Sequence, residues 1–147
     1  MPPHHVGPGR RRSAAALDAV AASAATCVHA NVATPLSVAE LRTLVGCSGH
    51  QLRLALQRHC GAGPKQYILR VRLEAARVEL ARGAARPCTV TAVATRYGFT
   101  ELGRFAVRYR QVFGERPSDT LRRTAVSNIE DSHGRSNDAS LATTLRR

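Results

Sequence analysis

The chain has 147 residues and a formal net charge of +12, so it makes one domain or two very small subdomains with a polyanion as natural partner. Its 44% hydrophobic content is largely Ala, with three Phe, three Tyr and no Trp, which predicts a thin helical core. No stretch approaches the roughly 18 apolar residues of a spanning helix, and no phosphate loop, Ser/His/Asp grouping or H-E-x-x-H motif suggests an enzyme.

Residues 1–12, MPPHHVGPGRRR, read as a disordered basic arm. Ser13 is positioned to cap a helix through SAAALDAVAASAATCVHANVA, with Leu17, Val20, Ala24 and Val28 on its inner face and Pro35 ending the segment. The Arg10–Arg12 triplet before this Ala-rich run invites a signal-peptide reading, but Asp18 interrupts it and export is not expected.

Ser37-Val-Ala-Glu40 is a capping box, in which a hydroxyl and a carboxylate satisfy free amides at a helix start. The helix from Val38 ends at Gly46, Cys47-Ser48-Gly49 forms a turn, and HQLRLALQRHC forms a second helix ending at Gly61. Leu52 and Leu56 face inward there, leaving His50, Gln51, Arg53 and Gln57 outward, with Ser48 as cap and as a helix N-terminus able to hold a phosphate.

Pro64 opens a long helix to Gly83. One stripe of Ile68, Val71, Ala75 and Val78 and another of Leu69, Leu73, Ala76 and Leu80 give it a wide apolar arc, as a helix between two small lobes needs. The 18 residues from Lys65 to Arg82 span about 27 Å, against roughly 34 Å between successive major grooves on one face of DNA. A loop, AARP, follows.

The stretch Val90–Pro117 states a function most directly. Val90, Val93 and Ala94 form a helical stripe, Gly98 stops it, and Thr100 is placed to cap a second helix. Leu102, Phe105, Tyr109 and Phe113 share that helix's inner face, Arg104, Arg108 and Arg110 lie between them, and Gly114 and Pro117 close it. Two helices across a short Gly turn, the second cationic, match a helix-turn-helix in a major groove; a basic helical hairpin that packs on something else has the same spacing. Sixteen basic and six acidic residues lie between Pro35 and Arg123, so the charge sits on the folded part. Beyond Arg123, Ser, Asn, Asp and Thr predominate and a flexible tail, 124–147, is expected. Cys27, Cys47, Cys60 and Cys88 show no metal-site spacing and read as reduced, mostly buried thiols of a cytosolic protein; neither metal nor cofactor is expected.

Taken together, the chain from about Leu17 to Arg123 resembles the DNA-binding domain of the AraC/XylS family of bacterial transcription regulators. Gly98, Phe99, Phe105, Tyr109, Arg110, Phe113, Gly114 and Pro117 fill the family frame G-F-x-x-x-x-x-F-x-x-x-[FY]-[KR]-x-x-[FY]-G-x-x-P. Gly61, Pro64, Tyr67 and Arg72-Leu73-Glu74-Ala75-Ala76 look like its linker helix. The resemblance implies an all-α fold: two helix-turn-helix subdomains (36–61 and 88–114) of homeodomain-like helical bundles, joined by the linker helix 64–83 within a domain spanning 13–123. It implies binding to promoter DNA and contact with RNA polymerase, while the length of the linker helix lets a monomer place two recognition helices in adjacent major grooves, and the reduced thiols place the chain in the cytoplasm. Carried over by position, the base readers are His50, Gln51, Arg53 and Leu54, then Leu102, Gly103, Arg104 and Val107. Ser48, Arg108 and Arg110 are the expected phosphate contacts, and Leu102 and Val107 are equally consistent with core. Arg42 and Leu54 depart from the family pattern, which often has a small residue and an Arg there. Only about 34 residues precede Pro35, too few for the effector-binding domain many members carry, so this chain is not expected to sense a ligand itself. A non-specific nucleic-acid binder, or a protein-interaction fragment of a larger regulator, remains as the alternative.

Overall fold

The computed structural model describes residues 8–83 and 88–126, with side chains from Ser13 onward. The described residues are helical with no strand, and they divide into two compact units at Arg72/Leu73. The expected tail beyond 126, the arm before Pro8 and the AARP loop at 84–87 lie outside the described residues.

Unit 1 opens with α1, Pro8–Ala30. It starts five positions before Ser13, because Pro8 at the first helical position has a backbone already set for the turn and the Ala-rich run propagates it. The backbone of Arg10–Arg12 is therefore helical and not part of an irregular arm. The helix ends before Pro35: the Asn31 side chain donates to the Cys27 carbonyl (2.8 Å) and Thr34 N–H to the Asn31 carbonyl. Ala21, Ala24 and Val28 are its buried face. One expectation needs correcting. Ser13–Ala30 is long and apolar enough, by length and composition, to cross a membrane, since the Ala run holds a single charge, Asp18. In this structure Asp18 pairs instead with Arg58 at 3.3 Å and the helix packs on the two that follow.

These are α2 (Val38–Val45) and α3 (Gly49–Cys60). The capping box forms: Ser37 N–H donates to Glu40 Oε2 (2.7 Å) and Glu40 N–H to Ser37 Oγ (3.2 Å). The Ser37 backbone N–H first, and the Ser37 side chain after it, hold the Glu40 carboxyl below its ordinary value. Leu41, Leu52 and Leu56 bury completely against Ala24, Val28, Ile68 and Val71, the last two from α4 (Pro64–Arg82). Each buried Leu contributes about 1.5–3 kcal/mol relative to exposure.

Unit 2 takes the second half of α4, with Leu73, Ala76 and Leu80 buried, then α5 (Val90–Arg96), α6 (Leu102–Phe113) and α7, residues 117–126. Val78, expected on the inner stripe, is exposed. The wide arc of α4 is divided along its length: Ile68 and Val71 serve one core, and the face of Leu73, Ala76 and Leu80 is buried in the other half. Along α6 the rings of Phe99, Phe105, Tyr109 and Phe113 follow one another at centroid distances of 4.8, 5.7 and 4.7 Å, and the Arg77 guanidinium lies 4.6 Å over Phe113.

Helix α7 occupies the place where the tail was expected to begin. Pro117 takes its first position and Arg116 N–H donates to Asp119 Oδ2 at 3.2 Å, half of a capping box. Thr124, read from sequence as tail, donates to the Ala81 carbonyl of α4 at 3.0 Å. Buried Thr120 sits 2.8 Å from the Tyr109 hydroxyl and donates to Glu115 Oε1 at 2.7 Å. Glu115 also pairs with Arg123 and, at 3.8 Å, with Arg77.

Candidate nucleic-acid interface

Both helix pairs are joined by the same chain reversal. After α2, Gly46 adopts the left-handed conformation (φ 71°), its N–H reaching the Thr43 carbonyl and Cys47 N–H the Arg42 carbonyl. After α5, Gly98 does so (φ 78°), with N–H bonds from Gly98 to Thr95 and from Phe99 to Ala94. This is the Schellman turn, which a residue with a Cβ adopts only at a cost. From that glycine the chain reaches the next cap in two steps in unit 1 and three in unit 2.

In unit 1 the cap is Ser48, as expected. Its Oγ accepts from Gln51 N–H (3.1 Å), while Gln51 Oε1 accepts from Ser48 N–H (3.0 Å). The box fixes the first turn of α3, engages the Ser48 hydroxyl and occupies the oxygen of Gln51, whose amide NH₂ stays available. His50, Arg53 and Leu54 are exposed on the same two turns, Leu54 at 42%. Arg42, a departure from the family pattern, is exposed, with Cδ and Nη1 3.9 Å from where a Gly49 Cβ would stand. Its guanidinium thus lies beside the start of α3, and its carbonyl closes the turn without disturbing buried Leu41.

In unit 2 the cap is Glu101 and not Thr100: the first helical bond runs from Phe105 N–H to the Glu101 carbonyl. The extra turn residue moves the helix start on by one. The Glu101 side chain caps nothing and instead accepts from Arg104 Nε at 2.9 Å. Leu102 and Val107 are surface residues, 41% and 58% exposed, which resolves their ambiguity against core. Gly103 has open space around it, and Arg104, Arg108 and Arg110 are all exposed. Counted from the caps, Leu52 and Leu56 of α3 correspond to Phe105 and Tyr109 of α6, and Leu54 corresponds to Val107. Each unit therefore anchors a helix by its fourth and eighth positions and leaves the opposite face of the first two turns exposed.

A helix-turn-helix domain model matches residues 41–123. A solved structure of a probable AraC family transcriptional regulator from Rhodopseudomonas palustris is 40% identical, with TM-score 0.65 over 71% of this chain and 96% of that one. A second, an AraC-type regulator from Chromobacterium violaceum, is 26% identical with TM-score 0.66, covering 72% and 92%. The chain belongs to the AraC/XylS family. Among curated relatives, a XylDLEGF operon transcriptional activator of Pseudomonas putida is 41% identical over 96 residues, 65% of this chain and 29% of its own length. A probable thc operon regulatory protein of Rhodococcus erythropolis is 36% identical over 107 residues, 73% of this chain and 32% of its own. The chain thus spans under a third of the length of these two relatives.

As a member of the AraC/XylS family, the chain presents its eight candidate readers in two groups, one per unit, at the start of α3 and of α6. The residue missed from sequence is Glu101, although its i,i+3 spacing to Arg104 was legible there. The cysteines are less buried than expected: Cys27, Cys47 and Cys88 are half-buried and Cys60 is exposed, its thiol donating to the Leu56 carbonyl one turn back. Among the described residues no three His, Cys, Asp or Glu side chains gather into a metal-sized cluster.

Proposed function

We propose that this chain binds a promoter sequence-specifically as a monomer, placing α3 and α6 in adjacent major grooves, and that it acts in the cytoplasm by contacting RNA polymerase. The observation that carries the reading is the repetition within one chain. Two helices, each locked behind a Schellman turn, have exposed first turns: His50, Gln51, Arg53 and Leu54 on one, Leu102, Gly103, Arg104 and Val107 on the other. Arg104 is the strongest candidate for a bidentate guanine contact, and Leu54, Leu102 and Val107 suit thymine methyls. Arg108, Arg110 and the Ser48 end of α3 serve phosphates.

Selection of bound duplexes from a random pool, followed by titration against scrambled DNA at several salt concentrations, tests this. The expected result is a motif of two blocks about one helical turn apart, bound on the order of 10³-fold or more above scrambled DNA. A motif of one block removes one unit from the reading. No motif, with affinity collapsing as salt rises, makes the chain the non-specific binder its +12 charge also supports. Polymerase contact is tested by transcription from the selected site with purified polymerase, and the monomer by the mass of the protein–DNA complex.

A further inference from the structure

Resting on that reading, we propose that Glu101 sets the specificity of the second unit by positioning Arg104. An N-cap side chain ordinarily accepts from the amides of its own first turn. Glu101 makes no such bond; its Oε2 lies 2.9 Å from Arg104 Nε, with both side chains largely exposed. The contact through Nε fixes the plane of the guanidinium and leaves the two terminal amino groups, which grip guanine O6 and N7 together. A long side chain that enters a groove already oriented loses less rotamer freedom on binding. A carboxylate so near the phosphates carries an electrostatic penalty on every DNA sequence alike. Glu101 therefore trades general affinity for discrimination at one base pair. No equivalent exists in unit 1, where the residue at the cap is Ser48 and the residue three beyond it is Gln51, turned back into the capping box.

The experiment is a double-mutant cycle in the full chain with Glu101→Ala, Glu101→Gln and Arg104→Ala. Each variant is titrated against the selected site, against that site changed at each base pair in turn, and against scrambled DNA. Glu101→Ala is expected to reduce discrimination at the single base pair that Arg104 reads by roughly three- to tenfold, in the lower part of the range of coupling between side chains in contact. Affinity for scrambled DNA should hold or rise. In the Arg104→Ala background, Glu101→Ala should change discrimination nowhere. Thermal unfolding of Glu101→Ala should stay near that of the parent, since no capping bond is lost.

Three results overturn the proposal. An equal rise in affinity for all sequences, with discrimination intact, makes Glu101 a bulk charge. An effect of Glu101→Ala that persists without Arg104 makes Glu101 a base reader in its own right, accepting from a cytosine amine. Discrimination and affinity in Glu101→Ala both equal to those of the parent leave Glu101 no role. If instead Arg104→Ala itself leaves discrimination untouched at every base pair, the failure belongs to the reading of Arg104 and not to Glu101.

Discussion

At the scale of single residues, the buried polar side chain among the described residues of unit 2 is Thr120, its hydroxyl set between Tyr109 and Glu115. Thr120→Val keeps the shape and removes both hydrogen bonds, leaving the Tyr109 hydroxyl without this partner in a site that burial has already made costly for its ionised form. The expected loss is about 1–3 kcal/mol in denaturant unfolding. The same network predicts a pH dependence. The Thr120 hydrogen bond first, then Arg123 and Arg77, hold the Glu115 carboxyl below the ordinary value of 4.5. A carboxylate lowered in the folded state contributes stability that is full above the unfolded value and lost as pH falls through the folded one. The thermal midpoint should therefore drop as pH falls below about 4.5, and Glu115→Gln should flatten that drop. Equal slopes for the two proteins would remove Glu115 from the account.

At the scale of elements, the glycines of unit 2 separate folding from binding. Gly98 is left-handed, whereas Gly103 sits within α6 with nothing near its missing Cβ. Gly103→Ala should stabilise the fold by about 0.5–1 kcal/mol through helix propensity, while Gly98→Ala destabilises it. If the first turn of α6 approaches DNA closely, Gly103→Ala binds its site more weakly although it is the more stable protein; unchanged affinity would place Gly103 away from the groove. Much of this architecture was legible in the sequence. Gly46, Gly61, Gly98 and Gly114 are all left-handed stops, and Ser37 and Ser48 form capping boxes, whereas Ser13 lies inside α1 and caps nothing. What was missed has physical causes. Helix α7 is capped by Arg116, a poor cap by residue type, although Pro117 and Asp119 marked its first and third positions. Thr100 is a good cap by residue type, but the turn after Gly98 is one residue longer than the turn after Gly46 and puts Glu101 at the cap. The division of α4 between two cores depends on tertiary burial, and periodicity alone cannot reveal it.

At the scale of the whole molecule, the two units are one plan used twice: helix, helix-turn-helix, then a helix after Gly-x-x-Pro, at Gly61–Pro64 and again at Gly114–Pro117. The last helix of the first copy is also the first of the second, since α4 gives Ile68 and Val71 to one core and Leu73, Ala76 and Leu80 to the buried face of the other. Melting either core removes tertiary support from a helix whose own propensity is marginal. The expected outcome is one calorimetric transition, with equal calorimetric and van't Hoff enthalpies; two resolved transitions would show the units independent. A single transition would also make the shared helix a thermodynamic relay. Whatever occupies α3 withdraws the states in which α4 is frayed, and so enriches the folded form of the unit that carries α6. A half-site captured by one unit would then prime the other before it has met a single base.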